Sequence, residues 1–155
     1  MCAFDVTAKD PKQLENLFRT LTARIEFLTQ GGEYQDGDEK LPPAGSGLLG
    51  KTFRPDGLTI TVGVGSSLFD VRFGLKDKKP RHLQEMRDFP NDRLQKSWCD
   101  GDLSLQICAL TPETCQAALR DIIKNTAQTA VIRWSIDGWL PKAEPGAIAA
   151  RNLLG

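Results

Sequence analysis

The apolar and polar positions along the chain predict a regular order of strands and helices. Residues 2–8 alternate and are rich in β-forming side chains, which predicts a strand. The apolar positions that follow recur with a period of about 3.6 residues, which predicts an amphipathic helix; they are Leu14, Leu17, Phe18, Leu21, Ile25 and Leu28. Asp10 is a typical N-cap for this helix, Pro11 a typical first residue, and Gly31 a typical end.

The second half of the chain repeats this alternation of strands and a helix. Alternating or β-branched runs predict strands at 58–64, 103–109 and 131–136. The strand at 58–64 has one apolar face, formed by Leu58, Ile60, Val62 and Val64. Thr111 and Pro112 start a second helix, whose predicted apolar face is Cys115, Ala118, Leu119, Ile122 and Ile123. The order β-α-β-β-α-β predicts an α+β, ferredoxin-like sandwich, with two helices on one face of a four-stranded antiparallel sheet.

Two long stretches show no clear period. Residues 33–57 are rich in Gly, Pro and charge, and we expect a loop there with a turn of helix at 47–49. Residues 76–101, the second stretch, carry dense mixed charge. Between the two stretches, residues 66–74 are expected to form a short helix. A loop as long as 76–101 inside a compact domain usually has a function or covers another part of the molecule. We expect residues 1–155 to form a single domain.

Composition and charge narrow the classes of partner. The 155 residues contain 20 Lys and Arg and 20 Asp and Glu, so the formal net charge is zero. This argues against a general nucleic-acid binder or a binder of anionic membranes, because both rely on excess positive charge. No apolar run reaches the length of about 18 residues that a membrane span needs. No export signal opens the chain, so the sequence as written indicates a cytoplasmic location.

Few residues are candidates for metal or nucleophilic chemistry. His82 is the single histidine and lies among charged residues, which indicates a surface position rather than a general base. The four cysteines are Cys2, Cys99, Cys108 and Cys115, and no pair has the CxxC spacing of a zinc site. We therefore expect no metal site, and we expect thiols buried as small apolar groups. The pattern places Cys108 and Cys115 at inward-facing, inaccessible positions.

Other short motifs have structural interpretations. Gly63 and Gly65 follow a strand as in a dinucleotide loop, but Leu68 replaces the third glycine, so a tight turn at the strand end is favoured. The basic cluster at 76–81 is expected to be a solvated face. The strand at 103–109 carries none of the aromatic side chains that an RNA-binding sheet of this kind uses. Trp98, Trp134 and Trp139 are expected to be packing residues.

Several segments together resemble a known family. The segments are 27–32, 57–65, 67–70, 72–75, 89–92, 101–108, 118–123 and 152–155. In sequence and spacing they resemble the N-terminal half of the dye-decolourising (DyP-type) haem peroxidases, and most closely the deferrochelatase branch. The resemblance covers nearly the whole chain. Residues 33–46 and 139–150 are the least alike.

The resemblance implies where a haem site would lie. The family has two ferredoxin-like domains, and haem b is held mainly by the second. Gly155 would be the first glycine of the family's G-x-x-D-G motif, whose Asp lies over the haem. The distal Asp, the proximal His and the distal Arg would all lie beyond Gly155. We therefore expect no catalytic or metal residue in this chain and no tight haem binding. His82 is not expected to ligate iron.

The resemblance also implies partners and a location for the full-length protein. They are a C-terminal haem-binding domain, haem, hydrogen peroxide and further copies of the same protein. Export to the periplasm through a twin-arginine leader is implied for the full-length protein. Both ends of the chain look cut, so we expect an inactive N-terminal fragment. The alternative is a non-catalytic scaffolding or interaction domain. In that case its helices would form one side of an interface, and the sheet edge or the 76–101 loop would add contacts.

Overall fold

Helices and strands appear in the order that the pattern predicts. The computed structural model describes residues 1–35, 40, 44, 45 and 49–138. Within these residues the strands are β1 (Cys2–Val6), β2 (Gly32–Glu33), β3 (Thr52–Phe53), β4 (Thr59–Val64), β5 (Leu103–Cys108) and β6 (Ala130–Ser135). The helices are α1 (Pro11–Gln30) and α2 (Pro112–Thr126). The boundaries of the four long strands and of α1, and the start of α2, lie within two residues of the predicted ones.

Four strands form one antiparallel sheet in the order β4-β5-β1-β6. Each pair is antiparallel, and the register places Phe4 opposite Leu103 and Val62 opposite Leu105. An irregularity in the β1–β6 register falls between Ala3 and Phe4. Both helices pack on the same face. The ferredoxin-like α+β fold is therefore confirmed.

The core lies between the two helices and this face of the sheet. The side chains that meet there are Phe4, Leu17, Leu21, Leu103, Leu105, Ile122, Thr126 and Ala130, and the cavity among them is only about 10 Å³. Helix α1 buries Leu14, Leu17, Leu21 and Leu28, as its period predicts. Asp10 caps it by accepting a hydrogen bond from the Gln13 amide at 2.8 Å. The interior is close-packed, so it leaves no room for a ligand.

The buried face of α2 is rotated from the predicted one. Its buried residues are Thr114, Ala117, Ala118, Asp121, Ile122 and Thr126, whereas Cys115, Leu119 and Ile123 are only half-buried. The reason is that Asp121 pairs with Arg24 of α1, which turns a charged position inward. Thr111 was predicted to cap α2, but its hydroxyl donates instead to the Asp56 carboxylate at 2.7 Å.

Three local expectations are corrected. A small sheet of β2 and β3 lies within the predicted 33–57 loop, and it places Phe53 in the core. In the 66–74 segment only one 3₁₀ turn forms, at Ser66–Leu68. The predicted apolar face of β4 is half open, since Val62 and Val64 are exposed at the sheet edge. The helical turn expected at 47–49 falls mostly outside the described residues.

The opposite face of the sheet carries no helix among the described residues. Alternation along the strands places polar side chains there; they include Asp5, Thr59, Thr61, Ser104, Gln106 and Arg133. We call this surface the helix-free face. Arg133 crosses it to donate to both oxygens of Asp5, at 3.1 and 3.3 Å.

Candidate functional site

Three of the segments that carry the resemblance meet at one end of the sheet. Asp102 precedes β5 and is buried, and its Oδ2 accepts a hydrogen bond from the Val6 amide at 2.8 Å. Its own amide donates to the Phe4 carbonyl at 2.9 Å. The Arg72 guanidinium donates to both Asp102 oxygens, at 3.1 and 3.2 Å, and to the Val6 carbonyl at 3.1 Å. The 66–75 segment is thereby fastened to the ends of β1 and β5.

Arg72 is held in its charged form by this network. Burial opposes the charge, but hydrogen bonds to Asp70 and Asp102 outweigh that effect and raise the pKa of Arg72 above its ordinary value. Its Nη2 also donates to the Ser67 carbonyl at 3.2 Å. With its donors occupied by this chain, Arg72 serves as a fastening between segments.

Gly65 lies against the same network, which explains the glycine pair after β4. Its amide donates to the Asp102 carbonyl at 2.8 Å. A Cβ on Gly65 would fall 1.9 Å from the Gly101 carbonyl oxygen. Glycine at this position therefore lets the backbone after β4 lie against the turn at Gly101, and not against a bound ligand. The structural interpretation of Gly63 and Gly65 is favoured over a dinucleotide loop.

A second network joins the two helices. Arg24 of α1 donates through Nε and Nη2 to the two oxygens of Asp121 on α2, at 2.8 and 2.7 Å. The Asn125 amide group donates to the Asp121 carbonyl and to Oδ1, at 2.8 and 3.3 Å. Arg24 also lies 4.5 Å above the centre of the Phe27 ring. Sequence reasoning missed this network, although a carboxylate inside a mostly apolar helical face was a usable signal.

Tyr34 lies beside this pair and is strongly perturbed. Burial raises its pKa to about 12, and the negative charge of Asp121 and a hydrogen bond to it act in the same direction. The positive charge of Arg24 partly opposes this shift. The ring packs with Phe27 and Phe53, with centroids at 5.1 and 6.4 Å. This cluster joins the end of α1 to the small β2–β3 sheet.

We predict that Tyr34 ionises late. It is the only tyrosine, so phenolate absorbance during an alkaline titration reports it alone. The folded chain should titrate near pH 12, and the urea-unfolded chain near the ordinary value of about 10. Because the folded pKa is the higher one, this contribution to stability is complete below about pH 10 and is lost as pH rises through the folded pKa. The alkaline loss of stability should shrink in Tyr34→Phe. A folded-state midpoint near 10 would contradict the burial argument.

An open cleft of about 510 Å³ lies at the start of α2. The described residues that line it are Leu49, Lys51, Thr52, Arg54, Asp56, Thr111 and Thr114. Asp56 accepts from the Thr111 hydroxyl and, at 3.5 Å, from Thr114. These described lining residues include no histidine, cysteine, methionine or tyrosine. They therefore offer no ligand that iron in a haem prefers.

His82 belongs neither to the two networks nor to the lining of the cleft described above. It is exposed, in the irregular 76–101 segment. No group of three or more His, Cys, Asp or Glu side chains able to hold a metal occurs within residues 1–35, 40, 44, 45 and 49–138. The surface position expected for His82 is confirmed. Gly155 and Trp139 lie outside the described residues, so their predicted roles stay predictions.

The cysteines differ from expectation. Cys2 alone is fully buried, and burial raises the pKa of its thiol. Cys115 is half-buried, again with a thiol pKa raised by burial, while Cys108 is exposed. The prediction that Cys108 and Cys115 are inaccessible was wrong for Cys108, because it is the last residue of β5 and its side chain points to the helix-free face. Its thiol is available to reagents.

Two of the tryptophans lie at the base of the 76–101 segment. Trp134 of β6 is half-buried, and its indole N–H donates to the Asp100 carbonyl at 3.1 Å. Trp134 is not among the residues packed against the core, so the packing role expected for it stays a prediction. Trp98 is 54% exposed, so the packing role expected for it is not fulfilled among the described residues.

Comparison with known proteins assigns the chain to a family. Residues 1–140 match the family model described as Dyp-type peroxidase, N-terminal. The chain belongs to the Dyp-type peroxidase family. It is similar to the deferrochelatase of Escherichia coli (strain K12), with 52% identity over 159 residues that cover all of this chain and 38% of that protein. The deferrochelatase of Yersinia pestis is 51% identical over 158 residues, which cover 36% of its length.

Solved Dyp-type structures share this architecture. The DyP-type peroxidase from Cellulomonas bogoriensis superposes with a TM-score of 0.78 at 34% identity, over 99% of this chain and 41% of that one. An oxyferrous complex of DtpA from Streptomyces lividans gives 0.78 at 30% identity, over 99% and 40%. The chain thus spans well under half the length of its relatives.

The described residues do not fit a haem site. The only histidine is exposed on an irregular segment, the core cavity is far too small, and the open cleft carries no ligand for iron. The exposed thiol of Cys108 lies on the helix-free face and lines neither the core cavity nor the open cleft. A haem protein needs an axial ligand inside a pocket that controls access.

Proposed function

We propose that this chain is the N-terminal domain of a larger Dyp-type haem peroxidase of the deferrochelatase branch, and that it acts as a scaffold for the part that holds haem. In the whole protein, haem would supply the peroxide-driven oxidation and would also be the substrate from which iron is released. The observation that carries the proposal is the match over residues 1–140 in a chain that spans 36–38% of its deferrochelatase relatives.

The residues of this chain would provide rigidity. The Arg72–Asp102 and Arg24–Asp121 networks fix the sheet ends and the helices. The buried residues of both helices pack against the sheet, so the helix-free face with the loops beside it would be the surface that meets a second domain. The homo-oligomeric state and periplasmic export of the whole protein are further parts of the proposal, supported by the family alone. No helix in the described part of the chain is long and apolar enough to cross a membrane.

A haem titration tests the proposal. We expect the 155-residue chain to bind haem no better than a non-specific protein and to add no peroxidase turnover to free haemin. The same chain continued by the C-terminal part of the Escherichia coli deferrochelatase should show a stoichiometric Soret band. The His82→Ala and Cys108→Ser variants of the isolated chain are the controls, because these residues carry the accessible imidazole and thiol. Tight binding by the isolated chain that disappears in either variant would overturn the proposal.

A further inference from the structure

Residues 76–98, which we call the arm, are exposed almost throughout. Every one of them except Leu83 is exposed, although the arm contains large apolar side chains. Met86 is 69% exposed, Phe89 41%, Leu94 46% and Trp98 54%. Isolated exposed apolar residues are ordinary, but several on one irregular segment indicate a surface that is covered in use.

The arm is poorly supported by its own contacts. Between residues 80 and 95, the backbone–backbone hydrogen bonds found in the described chain are two turns, Leu83 to Pro80 and Asp92 to Phe89. Arg87 lies over the Phe89 ring at 5.0 Å, and Lys96 pairs with Asp88 at 3.7 Å in an exposed position. Exposed pairs of this kind contribute little. Ordering so many residues therefore requires contacts from outside the arm.

The base of the arm is fastened to the last strand. Arg133 of β6 donates to the Cys99 and Lys96 carbonyls, at 3.0 and 3.4 Å, while it also pairs with Asp5 on the helix-free face. Trp134 fastens Asp100 in the same way. Four residues beyond Trp134 the described chain reaches Gly138. A chain that continues from β6 therefore starts beside the base of the arm.

The charge of the arm sets the character of the surface that it meets. Residues 76–98 contain seven Lys and Arg and four Asp and Glu, a net charge of +3 in a chain whose total is zero. Apolar side chains flanked by basic ones fit an apolar groove with an acidic rim, because buried aromatic anchors supply affinity and complementary charges supply orientation.

We propose that the arm docks on the C-terminal part of the full-length peroxidase, with Phe89, Leu94 and Trp98 in an apolar groove that has an acidic rim. This inference rests on the proposed function, which supplies the missing partner: relatives that match all of this chain are more than twice as long as the matched part, and the family model that matches residues 1–140 is the N-terminal one.

Hydrogen exchange by mass spectrometry tests the proposal. The isolated chain is compared with the same chain continued by the C-terminal part of the Escherichia coli deferrochelatase. We expect amides 80–97 to exchange roughly tenfold or more slowly in the continued chain. The triple variant Phe89→Ser, Leu94→Ser, Trp98→Ser should lose that protection. The matched control is Leu110→Ser, since Leu110 is 82% exposed and follows the end of β5 beside Asp56, whereas the arm precedes the start of β5.

Two further measurements separate docking from folding. The isolated triple variant should melt at the temperature of the isolated wild-type chain, because the three substituted side chains are exposed and do not belong to the core. The charge variant Lys79→Glu, Arg93→Glu should weaken protection of the arm in the continued chain, and it removes no apolar contact. If all three apolar substitutions and the charge variant leave the protection unchanged, the proposal is wrong.

The outcomes distinguish the arm from the proposed function. A continued chain that binds haem while its arm exchanges as fast as in the isolated chain overturns the arm proposal alone. A continued chain with a protected arm and no Soret band overturns the haem assignment alone. Protection that appears in the isolated chain only at high concentration assigns the arm to a second copy of this chain and overturns the docking proposal.

Discussion

Gly65→Ala is expected to destabilise the chain by about 3 kcal/mol or more, at the upper end of what overpacking costs. The backbone of Gly65 is extended, with φ −85° and ψ 164°, so alanine meets no conformational strain there. The cost is steric. The new methyl carbon would lie 1.9 Å from the Gly101 carbonyl oxygen, and the hydrogen bond from Gly65 to Asp102 fixes that approach. Moving the strand end aside would also disturb buried Asp102.

Two alanine substitutions elsewhere separate steric cost from conformational cost. Gly74 has φ +67° and Gly138 does not lie in the left-handed region. Apart from the adjacent residues, no described atom lies within 4 Å of a Cβ at either position. Gly74→Ala should cost about 1–2 kcal/mol through the left-handed backbone alone, and Gly138→Ala close to nothing. The measurement is urea unfolding followed by far-ultraviolet circular dichroism. A Gly65→Ala variant as stable as Gly138→Ala would show that the turn at Gly101 moves aside at no cost, and it would contradict the predicted steric destabilisation.

Arg24→Ala is expected to cost about 3–5 kcal/mol, the range for removing one partner of a buried ion pair. The Asp121 side chain is only 3% exposed, whereas that of Arg24 is 25% exposed. Removal of the arginine therefore leaves a carboxylate that water cannot reach and takes a cation away from the Phe27 ring. Since a small domain has roughly 5–15 kcal/mol of stability in total, this loss is a large fraction of it.

A matched control and a double mutant sharpen the test. Arg19→Ala removes an arginine from the same helix, but its partner Glu15 and Arg19 itself are exposed, so the loss should stay below about 1 kcal/mol. The double variant Arg24→Leu, Asp121→Leu removes both charges, and it should recover much of the stability that Arg24→Ala loses. Equal effects of Arg24→Ala and Arg19→Ala in urea unfolding would mean that solvent screens the buried pair.

His82 and Cys108 carry the imidazole and the thiol that could have ligated haem iron, and both are exposed. A single histidine among charged residues indicated a surface position for His82, and the exposed position of His82 in the structure confirms this. The exposure of Cys108 was also within reach of the sequence, because alternation along β5 places Cys108 on the face of Ser104 and Gln106, opposite to Leu103 and Leu105. The inward assignment of Cys108 gave more weight to the apolar character of a thiol than to this alternation.

Sequence alone determined the alternation of strands and helices, the start of α1 at Asp10 and Pro11, and the family to which these segments are similar, because period, caps and motifs are local properties of the chain. Only the tertiary structure decided which polar residues are buried. Arg24 and Asp121 are 97 residues apart, and Arg72 and Asp102 are 30 apart. Their pairing changed the buried face of α2 and fastened the 66–75 segment, because a buried carboxylate requires a partner that only folding brings within reach.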